Sequence, residues 1–443
     1  MKILSIVLAA CFMLATAACD QLTDAEEAAL EEKVAPDVRQ RAGAIRFAPV
    51  IIRLNTPSGL EFMSSGARAA AIDRLTKDML TEVSQEEVQI VHRYSIVPIM
   101  SAWANDKGLA ALAMRDEVNQ IVLDRVEQTL LNGSTRTIQA HLVWPTSKGN
   151  GQYVAILDTG TDRSHPFVQL RVTHEACFRR DGKCRNLGYQ QIGQDAAKSI
   201  TKPHGMHVAG IAAGANGPLT GGVPLNGVAP GANIIAINIF STDGAYVGDQ
   251  VKALEYVAML KQQQNINVVA ANLSLGDKVK HVNACDAEEP ERKTIIDKLL
   301  QLGVATVVAA GNDQYSNAVS APGCIGSAVT VSSVNDTDGI IAAHNRSRQT
   351  DFMAPGMNIR SSLPKHVYGG MGDYGDQSGT SMAAPHVSGA IALLSAAAPG
   401  KTLPEILAAL TLTAKPITET VGGIPITYRR IDVNKALIHL KSH

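Results

Sequence analysis

From residue 151 onward the chain alternates short apolar strands with segments of helical periodicity. The stretches "GQYVAILDTG", "NIIAINIF", "INVVAANLSLG" and "VATVVAAGN" have the composition of buried strands, and helical patterns such as "VGDQVKALEYVAMLKQQ" lie between them. Alternation of this kind requires right-handed crossovers, and it predicts an α/β fold: a doubly wound, mostly parallel sheet with helices on both faces. At 443 residues the chain is long enough for more than one domain and at least one large core.

A separate small domain is predicted ahead of this sheet. "PVIIRL" and "VQIVHRYSIVPIMSAWA" are strand-like, whereas "GARAAAIDRLTKDMLTEV" and "KGLAALAMRDEV" have helical periodicity. The charged residues 19–45, including "DAEEAALEEK", suit a tether or a frayed helix. We therefore predict a tether over 19–45, an α+β ferredoxin-like domain over 46–133 and the α/β domain over 134–443.

The first 18 residues indicate an export signal. Lys2 supplies a short positive region, and an apolar run then leads to small residues before Cys19. The stretch also resembles a bacterial lipoprotein signal, whose cysteine is lipidated and becomes the new N-terminus. Cys19 lies at a suitable distance from the start, Cys11 in "LAAC" is the better local match, and plain cleavage after Ala17 is a third alternative. We predict lipidation of Cys19 and a periplasmic or membrane-anchored precursor, with a periplasmic or extracellular mature domain.

The composition limits the partners that the protein is expected to bind. The formal net charge is −1, which gives no reason to expect nucleic acid or an anionic membrane surface as a partner. No apolar run in the body of the chain has the length of a transmembrane span. We expect a monomer whose membrane contact depends on a lipid at Cys19.

Four cysteines remain outside the signal region, and an even number in an exported protein suggests two disulfides. Cys177 and Cys184 bracket "FRRDGK", a charged loop with a turn, so they are predicted to pair with each other. Cys285 is then predicted to pair with Cys324. Zinc binding is the alternative, although neither pair has the C-x-x-C spacing of a structural site.

Three motifs contain residue types suited to nucleophilic catalysis. Asp158 ends the strand "YVAILD", His204 lies in "HGMHVAGIAAG", and Ser381 opens a helix in "SGTSMAAPHVSG". Each alone would be explained by a turn or a helix cap. Together, in the order Asp, His, Ser, they provide a nucleophile, a base and a group that orients the base. A metal site at His204 and His207 is weaker, because the motif is not H-E-x-x-H.

These motifs resemble the three active-site signatures of the subtilisin-like serine proteases, and the resemblance covers roughly residues 135–440. It implies an autoprocessed serine endopeptidase with Asp158, His204 and Ser381 as its triad. Asn312 of "VVAAGND" is then expected to form the oxyanion hole together with the backbone N–H of Ser381. Polypeptides are the expected substrates, and no cofactor is expected.

The resemblance also implies a substrate-binding region. "NLSLG" is similar to the family's substrate-binding edge strand, and "DGAY" at 243–246 is expected to supply the opposite strand. Small and apolar pocket walls predict a preference for a large apolar side chain before the cut bond. The α+β module resembles the family's inhibitory propeptide in position and pattern. The residues expected to line the pocket are Ser274, Leu275, Gly276, Ala309 and Ala310.

Some positions depart from the family pattern. Met206 replaces the usual threonine of "HGTHVAG", and Phe167 stands where many members have a calcium-binding aspartate. The loop "GANGPLTGGVPLNG" is also lengthened, so structural calcium is not predicted at the usual site. Two alternatives to a protease are a catalytically silent binding scaffold and a serine esterase. All four catalytic positions are present, and Ser381 lacks the G-x-S-x-G context of such esterases.

Overall fold

The computed structural model of the chain contains two compact units, one up to Glu127 and one from Gln128 onward. The predicted export signal, with Cys11 and Cys19, lies outside the described residues. None of the helices in the described part of the chain combines the length and the hydrophobicity needed to cross a bilayer. The structure describes residues 22–44, 46–56, 58–60, 63–81, 83–95, 97–124, 133–199, 201–220, 223–364 and 373–442.

The N-terminal unit is built around an antiparallel sheet with the strand order β2-β3-β1-β4. Alternating apolar residues in β1 bury every second side chain against the helices. The stretch "VQIVHRYSIVPIMSAWA" forms two strands rather than one. The elements are α1 (Asp24–Lys33), α2 (Pro36–Ala44), β1 (Ala48–Leu54), α3 (Ser65–Leu80), β2 (Val88–Arg93), β3 (Ile99–Ala104), α4 (Asp106–Ala113) and β4 (Val118–Leu123).

The charged segment predicted as a tether instead contains two helices that pack on this unit. Leu30, Val34, Val38 and Ala42 are buried in the same core as β1 and β4. Val34 also forms a bridge with Ile121 of β4. These apolar residues recur at intervals of four along the segment, whereas acidic residues dominate its composition. Composition alone therefore concealed the amphipathic pattern.

The C-terminal unit begins with α5 (Gly133–Thr137), and its mixed sheet has the order β17-β18-β14-β13-β12-β11-β5-β10-β6-β7 in the described residues. The sheet is parallel from β18 to β6 and antiparallel at both edges. The α/β fold predicted from the strand–helix alternation is confirmed. Its strands are β5 (Tyr153–Asp158), β6 (Val172–Phe178), β7 (Gln190–Ile192), β8 (Leu219–Thr220), β9 (Val223–Pro224), β10 (Asn233–Asn238), β11 (Val268–Leu273), β12 (Ala305–Ala309), β13 (Val329–Val334), β14 (Phe352–Pro355), β15 (Ile359–Ser362), β16 (Tyr374–Gln377), β17 (Lys415–Val421) and β18 (Ile424–Arg430).

Helices cover both faces of this sheet and create two apolar cores. The first core contains residues of α6, α9, α10 and α11, and the second contains residues of α7 and α8. The near-continuous burial of the central strands follows from this double covering. The helices are α6 (His204–Ala213), α7 (Val247–Gln263), α8 (Pro290–Gln301), α9 (Thr380–Ala397), α10 (Leu403–Thr413) and α11 (Val433–Ser442).

Glycine allows α6 and α9 to approach each other closely. A Cβ built on Gly389 of α9 would lie 2.8 Å from the carbonyl oxygen of Ala212 in α6. A Cβ at Gly205 in α6 would lie 2.5 Å from the carbonyl oxygen of Gly160. Both distances are shorter than a side-chain carbon tolerates, so only glycine fits at these contacts. Backbone packing thus determines the positions of two helices that begin beside the predicted active site.

Both predicted disulfides are present, Cys177–Cys184 and Cys285–Cys324. His281 lies close to the second disulfide. In the described part of the chain, His281, Cys285 and Cys324 form the cluster whose side-chain atoms lie close enough together to hold a metal ion. Their two sulfurs are used by the disulfide. Phe167 is buried, and its ring would lie 2.1 Å from a Cβ at Gly214. An aromatic ring therefore fills the space beside Gly214.

Candidate active site

The parallel sheet and two helix N-termini bring the three predicted catalytic residues to one edge of the sheet. Asp158 is the last residue of β5, a central strand whose register places it beside Asn238 of β10. His204 is the first residue of α6, and Ser381 is the second residue of α9. The carboxyl ends of parallel strands are the usual location of functional groups in such sheets.

Asp158 contacts the imidazole of His204 with both carboxylate oxygens. The Nδ1 atom of His204 lies 2.8 Å from Oδ1 and 2.9 Å from Oδ2. A carboxylate only accepts hydrogen bonds, so Nδ1 must carry the proton and Nε2 is left free to accept one. Oδ1 of Asp158 also accepts the backbone N–H of Thr159 at 2.6 Å, which fixes the orientation of the carboxylate.

The surroundings of His204 favour its protonated form. Burial lowers the pKa of the imidazole, but the charge of Asp158 and the hydrogen bond between the two residues act in the opposite direction. The net result is a pKa above the ordinary value of 6.5. A raised pKa makes the neutral imidazole a stronger base, which suits a residue that must take a proton from a hydroxyl.

Ser381 is presented by a sharp turn at the start of α9. Gly379 precedes the helix with φ of 150°, a conformation that favours glycine. The Ser381 hydroxyl donates to the carbonyl oxygen of Ser274 at 3.3 Å, so it is turned toward β11 rather than His204. Rotation about the Cα–Cβ bond of Ser381 is the step that would direct the hydroxyl to Nε2, and such contacts often form only with substrate bound.

A buried chain of hydrogen bonds supports the backbone of Ser381. The hydroxyl of Ser274 donates to the carbonyl oxygen of Ser381 at 2.8 Å and accepts from Nδ2 of Asn272 at 2.9 Å. Oδ1 of Asn272 in turn accepts the hydroxyl of Ser388 at 2.9 Å. All three supporting side chains are buried. A satisfied polar network of this kind holds its members in one geometry, so β11 and α9 are locked together beside the nucleophile.

The amide of Asn312 is oriented by Thr380. Its Oδ1 accepts the backbone N–H of Thr380 at 2.9 Å and the Thr380 hydroxyl at 3.2 Å. Because a backbone N–H can only donate, the amide must present its oxygen to Thr380, and Nδ2 therefore faces away. Among the described residues no group accepts a hydrogen bond from Nδ2. Asn312 and Ser381 line the same cleft, so a free donor stands beside the hydroxyl.

A cleft of about 520 Å³ contains most of the predicted site. Ala310 does not line it, although the sequence suggested that it would, because its side chain is fully buried in the core beneath α7 and α8. Its neighbour Ala309 does line the cleft, as expected from the alternation of side chains along a strand. Of the predicted residues, the cleft is lined by His204, Ser274, Leu275, Gly276, Ala309, Asn312 and Ser381.

The structure adds cleft residues that sequence reasoning missed. Thr159 and Thr380 are neighbours of residues already singled out, so their positions could have been inferred. Phe240 lines the cleft, whereas the "DGAY" segment that follows it does not. Lys278 lies two residues beyond the "NLSLG" segment and Ser320 lies in the stretch after β12, and no sequence pattern marked either residue. Further members of the lining are Gly311 and Asp313.

Asp313 gives the cleft a charged group among its apolar walls. Its Oδ2 accepts the hydroxyl of Ser320 at 3.1 Å and Nδ2 of Asn345 at 3.0 Å. These bonds fix the carboxylate within the cleft, which also contains Lys278. The pocket is therefore more polar than its sequence suggested.

The sequence profile described as "Subtilase family" matches residues 149–431. The chain belongs to the subtilase family. This subtilase is 30% identical over 280 residues to the intracellular serine protease of Paenibacillus polymyxa, with 62% of this chain and 76% of the relative covered. It is 30% identical to thermitase of Thermoactinomyces vulgaris, with 64% and 88% covered. The predicted serine endopeptidase is confirmed by these relatives.

A longer match includes part of the N-terminal unit. Subtilisin E of Bacillus subtilis (strain 168) is 27% identical over 345 residues, which cover 75% of this subtilase and 79% of the relative. A solved protease structure from Pseudoalteromonas arctica PAMC 21717 has a TM-score of 0.56 and 24% identity, with 68% of this chain and 94% of that chain covered. That likeness supports the fold.

Proposed function

We propose that this endopeptidase cleaves peptide bonds with Ser381 as nucleophile, His204 as general base and then general acid, and Asp158 as the group that orients the imidazole. The observation that carries the proposal is the contact of both Asp158 oxygens with Nδ1 of His204. In the neutral imidazole this contact places the proton on Nδ1, so Nε2 is the acceptor in the cleft that also contains Ser381. A hydroxyl becomes an effective nucleophile only when such a base removes its proton.

Each step of the reaction uses a group of this cleft. Oγ of Ser381 attacks the peptide carbonyl while its proton moves to Nε2 of His204. The oxyanion that forms accepts hydrogen bonds from Nδ2 of Asn312 and the backbone N–H of Ser381, and the N-terminus of α9 adds favourable partial charge. His204 then gives its proton to the leaving amine. Water hydrolyses the acyl-enzyme by the same steps in reverse.

Labelling with a fluorophosphonate tests the assignment of the nucleophile. We expect wild-type protein to be labelled at Ser381, and Ser381→Ala and His204→Ala to lose labelling and peptide cleavage. Ser395→Ala, on the same helix but outside this cleft, is the matched control and keeps both. Labelling of another serine, or full cleavage by Ser381→Ala, contradicts the assignment.

We propose that substrate binds as an extended peptide along Ser274–Gly276. Leu275, Gly276 and Ala309 line the cleft there and suit an apolar side chain before the cut bond. Mass spectrometry of a digested peptide library reports the preference directly. Enrichment of large apolar residues at that position is the expected result. A preference for charged residues there would show instead that Asp313 or Lys278 determines the specificity of the cleft.

We propose that the N-terminal unit is an inhibitory propeptide, so that the protein is made as a zymogen. Its own buried core and the ferredoxin-like β-α-β-β-α-β order of its main elements support this proposal. Its position ahead of the protease domain supports it as well. Ser381 is the nucleophile that would cut the connection between the two units.

We also propose that the precursor is exported and anchored by a lipid on Cys19, so that maturation releases the protease domain. The membrane fraction should then contain uncut Ser381→Ala precursor, whereas the wild-type protease domain should be soluble. Adding Cys19→Ala to Ser381→Ala should make the precursor soluble, and Cys11→Ala should not. A soluble Ser381→Ala precursor contradicts the lipid anchor. Trimming of that precursor shows that another protease makes the cut.

A further inference from the structure

A half-buried carboxylate lies beside Gly133, at the start of α5. Asp336 follows β13, and a Cβ built on Gly133 would lie 3.4 Å from each of its carboxylate oxygens. Covalent geometry then places the backbone nitrogen of Gly133 within about 6 Å of both oxygens. Burial raises the pKa of Asp336, and in the described part of the chain no cation or hydrogen-bond donor contacts its carboxylate.

The turn that carries Asp336 has a defined shape. Oδ1 of Asn335 accepts the backbone N–H groups of Thr337 and Gly339 at 3.0 and 2.7 Å. The next acidic residue, Asp338, is paired with Arg430 at 2.8 Å and with Lys415 at 2.6 Å. Arg430 and Lys415 near this turn are therefore engaged by Asp338, and among the residues that the structure describes Asp336 has no partner of opposite charge.

The segment that begins at Gly133 is attached to the protease domain. Arg430 donates to the carbonyl oxygen of Thr137 at 2.8 Å, and the backbone N–H of Val433 donates to the carbonyl oxygen of Ile138 at 2.9 Å. The Ile138 side chain is fully buried. A cut beyond Ile138 would discard these contacts, whereas a cut before Gly133 keeps all of them.

We propose that proteolytic maturation makes Gly133 the first residue of the mature protease, and that its α-ammonium group pairs with Asp336. This inference rests on the proposed zymogen. Hydrolysis adds water across the bond, so the preceding residue takes the new carboxylate and Gly133 takes the new amine. An α-amino group has a pKa near 8 and is mostly protonated at neutral pH. The cut itself therefore creates the cation that Asp336 lacks.

The proposed ion pair exists only in the mature protein. In the precursor the nitrogen of Gly133 is a neutral amide, which gives a half-buried carboxylate much less stabilisation than an ammonium group. Maturation would then stabilise the product and hold its N-terminal segment in place. The mature domain would differ from the same residues in the precursor by this one pair.

The mature N-terminus gives the first test. Intact mass and N-terminal peptide mapping of self-processed protein should identify Gly133 as the first residue. A different first residue overturns the inference while leaving the zymogen proposal intact. If wild-type protein keeps the N-terminal unit, the zymogen proposal itself is wrong.

Thermal unfolding tests the partner. Asp336→Asn should lower the melting temperature of the mature protease by about 2–4 °C, the shift expected for loss of one partly buried pair. The same change in the uncut Ser381→Ala precursor should have little effect. Asp351→Asn is the matched control, because this carboxylate accepts the backbone N–H of Thr330 at 2.8 Å in both forms. Equal effects of Asp336→Asn on the two forms overturn the pairing.

Discussion

Asn312 illustrates how one neighbouring N–H decides what a side chain can do. Thr380 holds the oxygen of the amide, so the nitrogen is the atom left to meet a substrate. His204 follows the same logic, since Asp158 holds Nδ1 and leaves Nε2 for the proton transfer. In both residues, the hydrogen bond made by one atom of the side chain determines which other atom is available to a substrate.

Replacing Asn312 by Ala should remove one donor to the oxyanion without affecting the triad. We expect kcat to fall by about 10²–10³-fold with a much smaller change in KM, because this hydrogen bond strengthens in the transition state. Steady-state kinetics on a peptide substrate measures the loss. Asn283→Ala, at an exposed position outside the cleft, is the control. Undiminished turnover by Asn312→Ala would contradict its proposed role.

The pH dependence should report the pKa of His204. Protonated His204 cannot accept the Ser381 proton, so kcat/KM should fall as the pH drops through a pKa that lies above 6.5. Asp158→Asn removes the negative charge that favours the imidazolium, so the midpoint of the remaining activity should move to lower pH. Asp376→Asn, outside the cleft, should leave it in place. An unchanged midpoint in Asp158→Asn would show that a group other than His204 causes the fall of kcat/KM at low pH.

At the scale of elements, α9 both presents Ser381, the proposed nucleophile, and contributes to the network that holds it. Ser388 lies two turns into the helix, yet its hydroxyl connects through Asn272 and Ser274 to the carbonyl of Ser381. The helix and β11 are thereby fixed to each other through buried polar groups.

Ser388→Ala should weaken this connection. It leaves the buried Oδ1 of Asn272 without its donor, which should cost about 1–3 kcal/mol of unfolding free energy. Denaturant unfolding in the Ser381→Ala background measures this cost without self-digestion. In the active protein kcat should fall as well. Ser395→Ala on the same helix is the control. Equal effects of the two changes on the unfolding free energy and on kcat would contradict a specific contribution of this network.

Sequence patterns predicted the elements better than they predicted the contacts between them. The alternation of strands and helices predicted the sheet, because it depends on local patterns, and the order of three local motifs along the chain predicted that Asp158, His204 and Ser381 act together. Ala310 was wrongly placed in the cleft, since its side chain lies on the opposite face of the sheet from that of Ala309. Lys278 and Ser320 reach the cleft through the loops that follow β11 and β12, and no local sequence pattern marks the conformation of those loops.

At the scale of the whole molecule, the two disulfides constrain the unfolded chain to different degrees. Cys285 and Cys324 are 39 residues apart, whereas Cys177 and Cys184 are only 7 apart. Loop-closure entropy rises with the length of chain enclosed, so the longer link should contribute more.

Removing the longer disulfide should therefore be the more damaging change. Replacing Cys285 and Cys324 by Ser should cost about 4 kcal/mol, against about 2.5 kcal/mol for Cys177 and Cys184. Unfolding of the paired variants in the Ser381→Ala background measures both values. If loss of the Cys177–Cys184 disulfide lowers the unfolding free energy more, local strain or packing around it outweighs the difference in loop-closure entropy.

The glycine contact between α6 and α9 has a consequence for how this enzyme can diversify. A side chain on Gly389 would clash with the backbone of Ala212, so the contact between α9 and α6 accepts only glycine at this position. Saturation mutagenesis should find no active variants at Gly389. Lys278 and Phe240 lie on the cleft surface and should accept many replacements. New specificities should therefore arise by exchanging residues of the cleft while the spacing of nucleophile and base is inherited unchanged.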